Sequence, residues 1–170
     1  LVGGLTQNVT AKGGYALSGS KGAITVVDSA QGAVNSTVDD GTSVSITSTS
    51  KNAGGTTGTI TVGGTSAPTG DVTINSTISE AKGTTNTAGG AITVTGGAAV
   101  VVNQTAVKAV QTADGLANGT ITNAAVTVNG AATTTSVVAK ASAAVAAVGT
   151  TLAVAGVTEV STVTFGALTA

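Results

Sequence analysis

Cysteine, histidine, arginine, tryptophan and methionine are all absent from this chain of 170 residues. Because histidine and cysteine are missing, the chain cannot build a transition-metal site from the usual nitrogen and sulfur ligands. The same gap leaves any serine or threonine nucleophile without an imidazole base to activate it. The absence of cysteine also means that no disulfide pattern indicates the redox compartment.

Charge and aromatic side chains are scarce as well. Only 8% of the residues are charged, the net charge is -1, and the six basic residues are lysines spaced singly along the chain. Tyr15 and Phe165 are the two aromatic residues. A nucleic-acid partner is not expected, because it requires a basic patch for phosphates and aromatic platforms for bases. No run approaches the roughly 18 apolar residues of a membrane helix, so no membrane span is expected.

The residues that are plentiful belong to a few small types. Valine, alanine, isoleucine and leucine make up nearly all of the 41% hydrophobic content, and threonine, serine, asparagine and glycine supply most of the remainder. A compact domain of this length usually fills its centre with large aromatic side chains. The composition therefore predicts a thin, repetitive, aliphatic core.

The later part of the chain repeats itself with a period of about 33 residues, and self-similarity at a fixed period predicts stacked or concatenated supersecondary units. Gly64, Gly97 and Gly130 are equally spaced and mark this period. A similar short strand precedes each glycine: Ile60-Thr61-Val62, Ile92-Thr93-Val94 and Val126-Thr127-Val128. A second β-prone run follows each one: Asp71 to Asn75, Val100 to Asn103 and Thr135 to Val138.

Each unit is predicted to be a strand, a glycine turn and a second strand. Apolar β-branched residues alternate with threonine, and glycine supplies the positive φ that tight turns require. In this unit Ile60 and Val62 face inward, whereas Thr59 and Thr61 face outward. The alanine-rich segment 139–148 favours a helix by composition, but the repeat alignment predicts a strand or extended loop there.

The predicted fold class is all-β, either a repetitive β-solenoid or an elongated β-sandwich array, with two small β-sandwich domains as the alternative. Residues 1–50 are predicted to form an N-terminal β region that includes an assembly segment, and residues 51–170 to form the strand repeats. A unit with two aliphatic residues on each strand face buries too little surface alone. It therefore needs neighbours in the same chain or in another chain.

Asp39 and Asp40 are the candidate metal ligands. The segment Asp39-Asp40-Gly41-Thr42 places two carboxylates in one loop, and calcium requires only oxygen ligands. The competing interpretation is a solvated turn, because the loop lacks the alternating carboxylates of an EF-hand. No other cofactor is expected.

No enzymatic activity is predicted. Asp71 and Glu80 are the acids considered for glycoside hydrolysis, which requires two facing carboxylates, and the chain has no tryptophan to stack on a sugar. Asn75 and Asn103 begin two of the five Asn-x-Ser/Thr sequons and follow the second strands of consecutive units. That placement favours a structural turn over glycosylation.

The segments Ile92 to Gly97 and Val126 to Val137, with the tail Val163 to Ala170, carry a family resemblance. They resemble the β-strand-repeat regions of large secreted proteobacterial surface proteins of the S-layer-like and adhesin-like type. The likeness covers residues 55–170. It implies an exported protein that builds lattices or fibres at the cell surface and often depends on calcium, although this sequence lacks acidic repeats.

The expected function is that of a structural subunit in an extracellular, self-assembling layer or fibre on a bacterial surface. Strand edges with little charge are poorly defended against pairing, so the expected partner is another copy of the chain. The copies would join by edge pairing, or by exchange of the segment Leu1 to Thr10 or Val160 to Leu168. A cell-surface polysaccharide is a further expected partner. The alternative function is an adhesin stalk or binding module of a large secreted surface protein.

Overall fold

The computed structural model describes residues 1–50, 54–80, 86–109, 120–146, 162–164 and 168–169. All the regular secondary structure in these ranges is β-strand, arranged in three sheets. The first sheet contains β1 (Gln7–Ala11), β3 (Ala23–Gln31), β5 (Ser43–Ser50), β8 (Val72–Glu80), β11 (Ala99–Ala109) and β14 (Ser136–Ala146). The second contains β2 (Ala16–Ser20), β4 (Ser36–Asp40), β7 (Ile60–Val62), β10 (Ile92–Thr95), β13 (Val126–Asn129) and β16 (Leu168–Thr169). The third contains β6 (Gly55–Thr56), β9 (Thr87–Ala88), β12 (Thr120–Thr122) and β15 (Thr162–Thr164).

The chain visits the three sheets in rotation. From β5 onward it forms a strand in the first sheet, then one in the third, then one in the second, and returns to the first. We call one such passage a circuit. The first two circuits omit the third sheet, which begins at β6. All strand pairings are parallel, so each circuit places its strands beside the equivalent strands of the circuit before.

The circuits lengthen along the chain. One register position of the first sheet is occupied in turn by Gln7, Ile24, Val44, Val72, Val100 and Val137. The spacing along this series is smallest between its first two members and largest between its last two. In the second sheet Ile60, Ile92 and Val126 share a register position, and their spacing also grows slightly. The repeat glycines Gly64, Gly97 and Gly130 are equally spaced. Their spacing lies between the interval from Ile60 to Ile92 and the interval from Ile92 to Val126. The period read from the sequence is therefore an average of intervals that grow along the chain.

Alternation of apolar and hydroxyl residues decides which side of each strand faces the interior. In β7, Ile60 and Val62 are buried and Thr61 is partly exposed, as predicted. Because the pairing is parallel and in register, buried residues of successive circuits stack in columns. One such column contains Ile46, Ile74 and Val102, all fully buried. Each fully buried aliphatic side chain contributes roughly 1.5–3 kcal/mol, so the columns hold the circuits together.

The fold class predicted from the sequence, a β-solenoid or elongated β-sandwich array with two small β-sandwiches as the alternative, is wrong as stated. The structure corrects it to an all-strand fold of three purely parallel sheets. The error lies in the predicted unit, because a tight glycine turn joins neighbouring strands only when they are antiparallel. Here β10 and β11 lie in different sheets. Gly96 and Gly97, with φ of 82° and 88°, turn the chain from the second sheet to the first.

A column of polar side chains also lies inside the stack. Asp28, Ser48, Ser76 and Gln104 occupy one register position of the first sheet, and all four are buried. They separate the main apolar cluster from a smaller one formed by Ile78, Ala106 and Ile121. Buried polar groups require hydrogen-bond partners. The Ser48 hydroxyl donates to Gln31 Oε1 at 2.6 Å, and Gln104 Nε2 donates to the Ala124 carbonyl at 3.0 Å.

The alanine-rich segment 139–148 is a strand as far as Ala146, where β14 ends. Its last two residues lie outside the described residues.

The domain boundary predicted between residues 50 and 51 stays a prediction; β5, which ends at Ser50, pairs with β3 on one side and β8 on the other. No helix in the described part of the chain has the length and hydropathy of a transmembrane span.

The close approach of circuits at Gly58 gives a test of this packing. A Cβ at Gly58 would overlap the backbone carbonyl of Val34 in the preceding circuit. The Gly58 N–H donates to Gly32 O at 2.7 Å, so the backbone cannot move away without losing this bond. We expect Gly58→Ala to lower the free energy of unfolding by about 2 kcal/mol or more, as overpacking does.

The measurement is urea denaturation followed by circular dichroism. Gly32→Ala is the matched control, because a Cβ at Gly32 meets nothing within 4 Å. Equal stability of the two variants would contradict the packing.

Candidate functional site at the Asp39–Asp40 corner

The two predicted calcium ligands lie at a sharp corner where β4 ends and the chain turns toward β5. Asp40 has a φ of 68° and Gly41 a φ of 92°, so two consecutive residues adopt the left-handed conformation. Glycine adopts it without strain, and aspartate tolerates it better than most residues. In the described ranges Asp40 is the one residue other than glycine with a positive φ.

Each carboxylate binds the backbone of a neighbouring circuit. Asp39 Oδ1 accepts hydrogen bonds from the N–H groups of Thr65 at 2.8 Å and Ser66 at 3.2 Å. Asp40 Oδ2 accepts one from the N–H of Gly19 at 2.7 Å. Because β4 lies between β2 and β7 in the second sheet, the two aspartates reach in opposite directions. Together they connect three consecutive circuits.

These contacts change the acidity of one of the aspartates. Hydrogen bonding from the side chain of Ser66 and from the backbone N–H of Gly19 holds the pKa of the Asp40 carboxyl below its ordinary value. Both bonds favour the ionised form, because a carboxylate accepts hydrogen bonds more strongly than a neutral carboxyl does. Asp40 therefore remains an anion in more acidic solution than a free aspartate would.

A surface pocket of about 220 Å³ opens beside Asp40. Its lining comes from three circuits and includes Lys21, Thr42, Ser66 and Thr69. The walls offer hydroxyl groups and one charge of each sign, which is a lining suited to a small polar molecule. A divalent cation in this pocket would meet the like charge of Lys21 as well as the carboxylate.

Calcium binding by Asp39 and Asp40 remains a prediction. The structure brings the two carboxylates to one corner, but one oxygen of each is already bonded to main-chain N–H groups. Among the described residues, no group of three or more His, Cys, Asp or Glu side chains comes together in a way that could hold a metal ion. What the geometry provides is a corner that links circuits, with a small polar pocket at its side.

The same linking device recurs at three positions that sequence reasoning did not single out for this role. At each one, the side-chain oxygen of an Asn or Asp accepts the N–H of the equivalent corner in the next circuit. The bonds run from Thr59 to Asn35 at 3.0 Å, from Ala99 to Asp71 at 3.1 Å and from Thr120 to Asn86 at 2.8 Å. Each acceptor immediately precedes a strand.

The acids considered for glycoside hydrolysis do not form a pair within the chain. Asp71 directly precedes β8 and Glu80 ends it. At about 3.3 Å per residue, the strand separates their backbones by roughly 30 Å, far more than the spacing of a catalytic pair. Asp114 and Glu159 lie outside the described residues.

The two sequon asparagines, Asn75 and Asn103, are neighbours in the first sheet. They share a register position, and Asn103 Nδ2 donates to Asn75 Oδ1 at 3.0 Å. Both lie within strands and face outward. They therefore form a rung of a side-chain ladder between circuits, and the predicted turn role is replaced by this one.

Comparisons of the chain with protein-family models, with curated proteins and with solved structures found no match in any of the three.

The depressed pKa of Asp40 predicts a pH-dependent contribution to stability. A group whose pKa is lower in the folded state stabilises the fold above its unfolded pKa, about 3.9 for aspartate, and this contribution is lost as the pH falls through the folded value. We therefore expect the chain to be more stable than Asp40→Asn at pH 6, with the difference shrinking toward pH 2. Asparagine is the matched replacement, because it also tolerates a positive φ.

Urea midpoints of both proteins across this pH range measure the effect. Thr42→Ala, at an exposed position of the same corner, serves as the control whose difference from the unmodified chain should not change with pH. A difference for Asp40→Asn that is constant with pH would contradict the assignment.

Proposed function

We propose that this chain is a structural subunit of an extracellular, self-assembling layer or fibre on a bacterial surface. The observation that carries the proposal is the open end of the first sheet at β1. In the described part of the chain, β1 pairs with β3 on one side and with no strand on the other. An unpaired strand edge is a template for another chain.

The N-terminal end of the stack is weakly protected against such pairing. The sequence of β1, Gln-Asn-Val-Thr-Ala, contains no charge and no proline, which are the features that usually guard an edge. Leu1, Val2 and Leu5, which precede this strand, are 66%, 81% and 79% exposed. They are half of the exposed large hydrophobic residues among those described. Burial of these side chains against a second copy would add to the backbone hydrogen bonds of the edge.

Edge pairing fits the structure more directly than strand exchange. The N-terminal segment already pairs within its own chain, because Val2 forms a parallel bridge with Ser18 and β1 pairs with β3. Near the other end, β15 pairs with β12 and β16 with β13; residues 160–161 and 165–167 of that segment lie outside the described residues. Exchange would require a segment to leave its own sheet first, whereas edge pairing leaves the native pairs in place.

The proposal includes no catalytic activity. Asp28, Asp39, Asp40 and Asp71 each accept hydrogen bonds from backbone N–H groups. Carboxylates held in this way link circuits. The partner we propose is a second copy of the chain, with a cell-surface polysaccharide as the material on which a layer would rest.

An adhesin stalk is the second candidate. It is favoured by the parallel stacking of circuits, in which strands of one circuit pair with those of the next. Such an architecture extends along one axis as circuits are added. A stalk needs only this stack and no contact between copies, so the two candidates differ in whether the purified chain assembles.

Electron microscopy at increasing protein concentration tests the proposal. We expect ordered fibres or sheets for the unmodified chain. Leu5→Lys should raise the concentration needed for assembly about tenfold or more, because it places a charge among the exposed hydrophobic side chains that precede the β1 edge. Val34→Lys is the matched control, since Val34 is also exposed, at 62%, but lies between β3 and β4, in the circuit on the paired side of β1.

Uniform single particles at every concentration would contradict assembly and leave the stalk. If both lysine variants form fibres equally well, the copies of the chain join at a site other than the β1 edge.

A further inference from the structure

The two ends of the stack expose opposite edges of the first sheet. In the described part of the chain, β1 is the first strand of this sheet and β14 is the last, and each pairs with a strand on one side alone. An unpaired strand edge presents N–H and C=O groups that can pair with another chain. The first sheet can therefore be extended at either end by one more strand.

Core-facing side chains are only partly covered at both of these ends. One register column of the first sheet runs from Val9 in β1 to Ala139 in β14. Val9 and Ala139 pack against the core but are partly buried, because each has a neighbouring circuit on one side alone. The inner members of the column are at most 1% exposed: Val26, Ile46, Ile74 and Val102. A second copy that placed its Val9 on Ala139 would continue the column and bury both side chains.

The polar column of the interior ends in the same residue at both ends. Ala11 precedes Asp28 in this column, and Ala141 follows Gln104. A polar side chain at either end would need a hydrogen-bond partner once it was covered. Alanine at both ends lets two copies meet at this position without burying a further polar group.

Backbone hydrogen bonds at one corner position give the stack a direction. The position lies two residues before the series that begins at Gln7, and the N–H of the later circuit donates there to the carbonyl of the earlier one. The bonds run from Thr42 to Gly22 at 3.0 Å, from Ala98 to Gly70 at 3.0 Å and from Thr135 to Ala98 at 2.8 Å. The next acceptor in this series is the Thr135 carbonyl, at the β14 end. Leu5, in register with Gly22, occupies the same position at the β1 end and supplies an N–H.

We propose that the β14 edge of one copy receives the β1 edge of the next, in parallel and in register, so that copies join head to tail. This inference rests on the proposed function and names the surface with which β1 pairs. In the joint, Val9 lies on Ala139 and the Leu5 N–H donates to the Thr135 carbonyl. Two β1 ends would bring like groups together at this corner, whereas unlike ends bring a donor to an acceptor. Because the two edges are different surfaces, each added copy leaves one edge free, and the product is an open fibre.

One charge on the outer face of the joint provides a test that depends on sign. Lys140 is exposed in β14 and follows Asn103 in its register column. In the proposed joint, the next member of that column is Thr10 of the next copy. Thr10 is also exposed, and within its own chain it pairs with uncharged Val27. A charge placed at Thr10 therefore meets Lys140 only when copies join head to tail.

Sedimentation at increasing protein concentration measures the effect of such charges. We expect Thr10→Lys to raise the concentration needed for assembly about fivefold or more, because like charges directly opposite each other destabilise a strand pair. Thr10→Glu should leave this concentration unchanged or lower it. Adding Lys140→Glu should restore assembly to Thr10→Lys and weaken it in Thr10→Glu. Thr47→Lys, at an exposed position of the same column inside the stack, is the control and should assemble like the unmodified chain.

The outcomes separate this joint from self-assembly in general. In a joint between two β1 edges, a charge at Thr10 meets a copy of itself, so equal weakening by lysine and glutamate would overturn the head-to-tail arrangement. An unchanged threshold in Thr10→Lys, failure of Lys140→Glu to restore assembly at an unchanged urea midpoint, or particles that stop at two copies would overturn it as well. Each of these results leaves the proposed function in place. An unmodified chain that stays single at every concentration would overturn both.

Discussion

Parallel, in-register pairing between successive circuits is the constraint on which the rest of this structure depends. It places equivalent residues of neighbouring circuits directly beside one another, so that a residue facing inward in one circuit is stacked on its counterpart in the next. Short aliphatic side chains are enough to fill an interior built in this way, because Ile46, Ile74 and Val102 pack mainly along a column. The chain therefore manages with almost no aromatic residues.

The same pairing explains how a chain with so little charge uses its acids and amides. Each corner of a circuit leaves backbone N–H groups beside the corner of the next, and an Asn or Asp at that point can accept them. Asn35, Asp39, Asp71 and Asn86 do so. These hydrogen bonds satisfy backbone N–H groups at the corners, where the chain passes from one sheet to the next. Asp39, Asp40 and Asp71, which the sequence suggests as ligands or catalysts, thus take part in holding circuits together.

Polar residues in the interior show where composition and alternation disagree. Asp28 lies two residues after buried Val26, and Gln104 lies two residues after buried Val102. Residues two apart in a strand face the same side, so the alternation already indicated that Asp28 and Gln104 face inward. Composition favours the opposite reading, because serine, asparagine and aspartate usually lie in turns or at the surface. A side chain in a strand faces inward or outward according to its place in the alternation, whatever its chemistry. Hydrogen bonds such as that from Ser48 to Gln31 then offset the free-energy cost of burying these polar groups.

Composition and alternation by themselves determined that the chain is built of strands, that its core is aliphatic, and that Ile60 and Val62 face inward while Thr61 faces outward. They also identified the strands that contain Val62, Val94 and Val128 as equivalent. Only the tertiary structure decided that the strands pair in parallel across three sheets, because a glycine turn has the same sequence whether the chain reverses within a sheet or passes to another. Likewise, the sequence placed Asp39 and Asp40 in one loop, but the direction of each carboxylate depended on which circuits lay on either side.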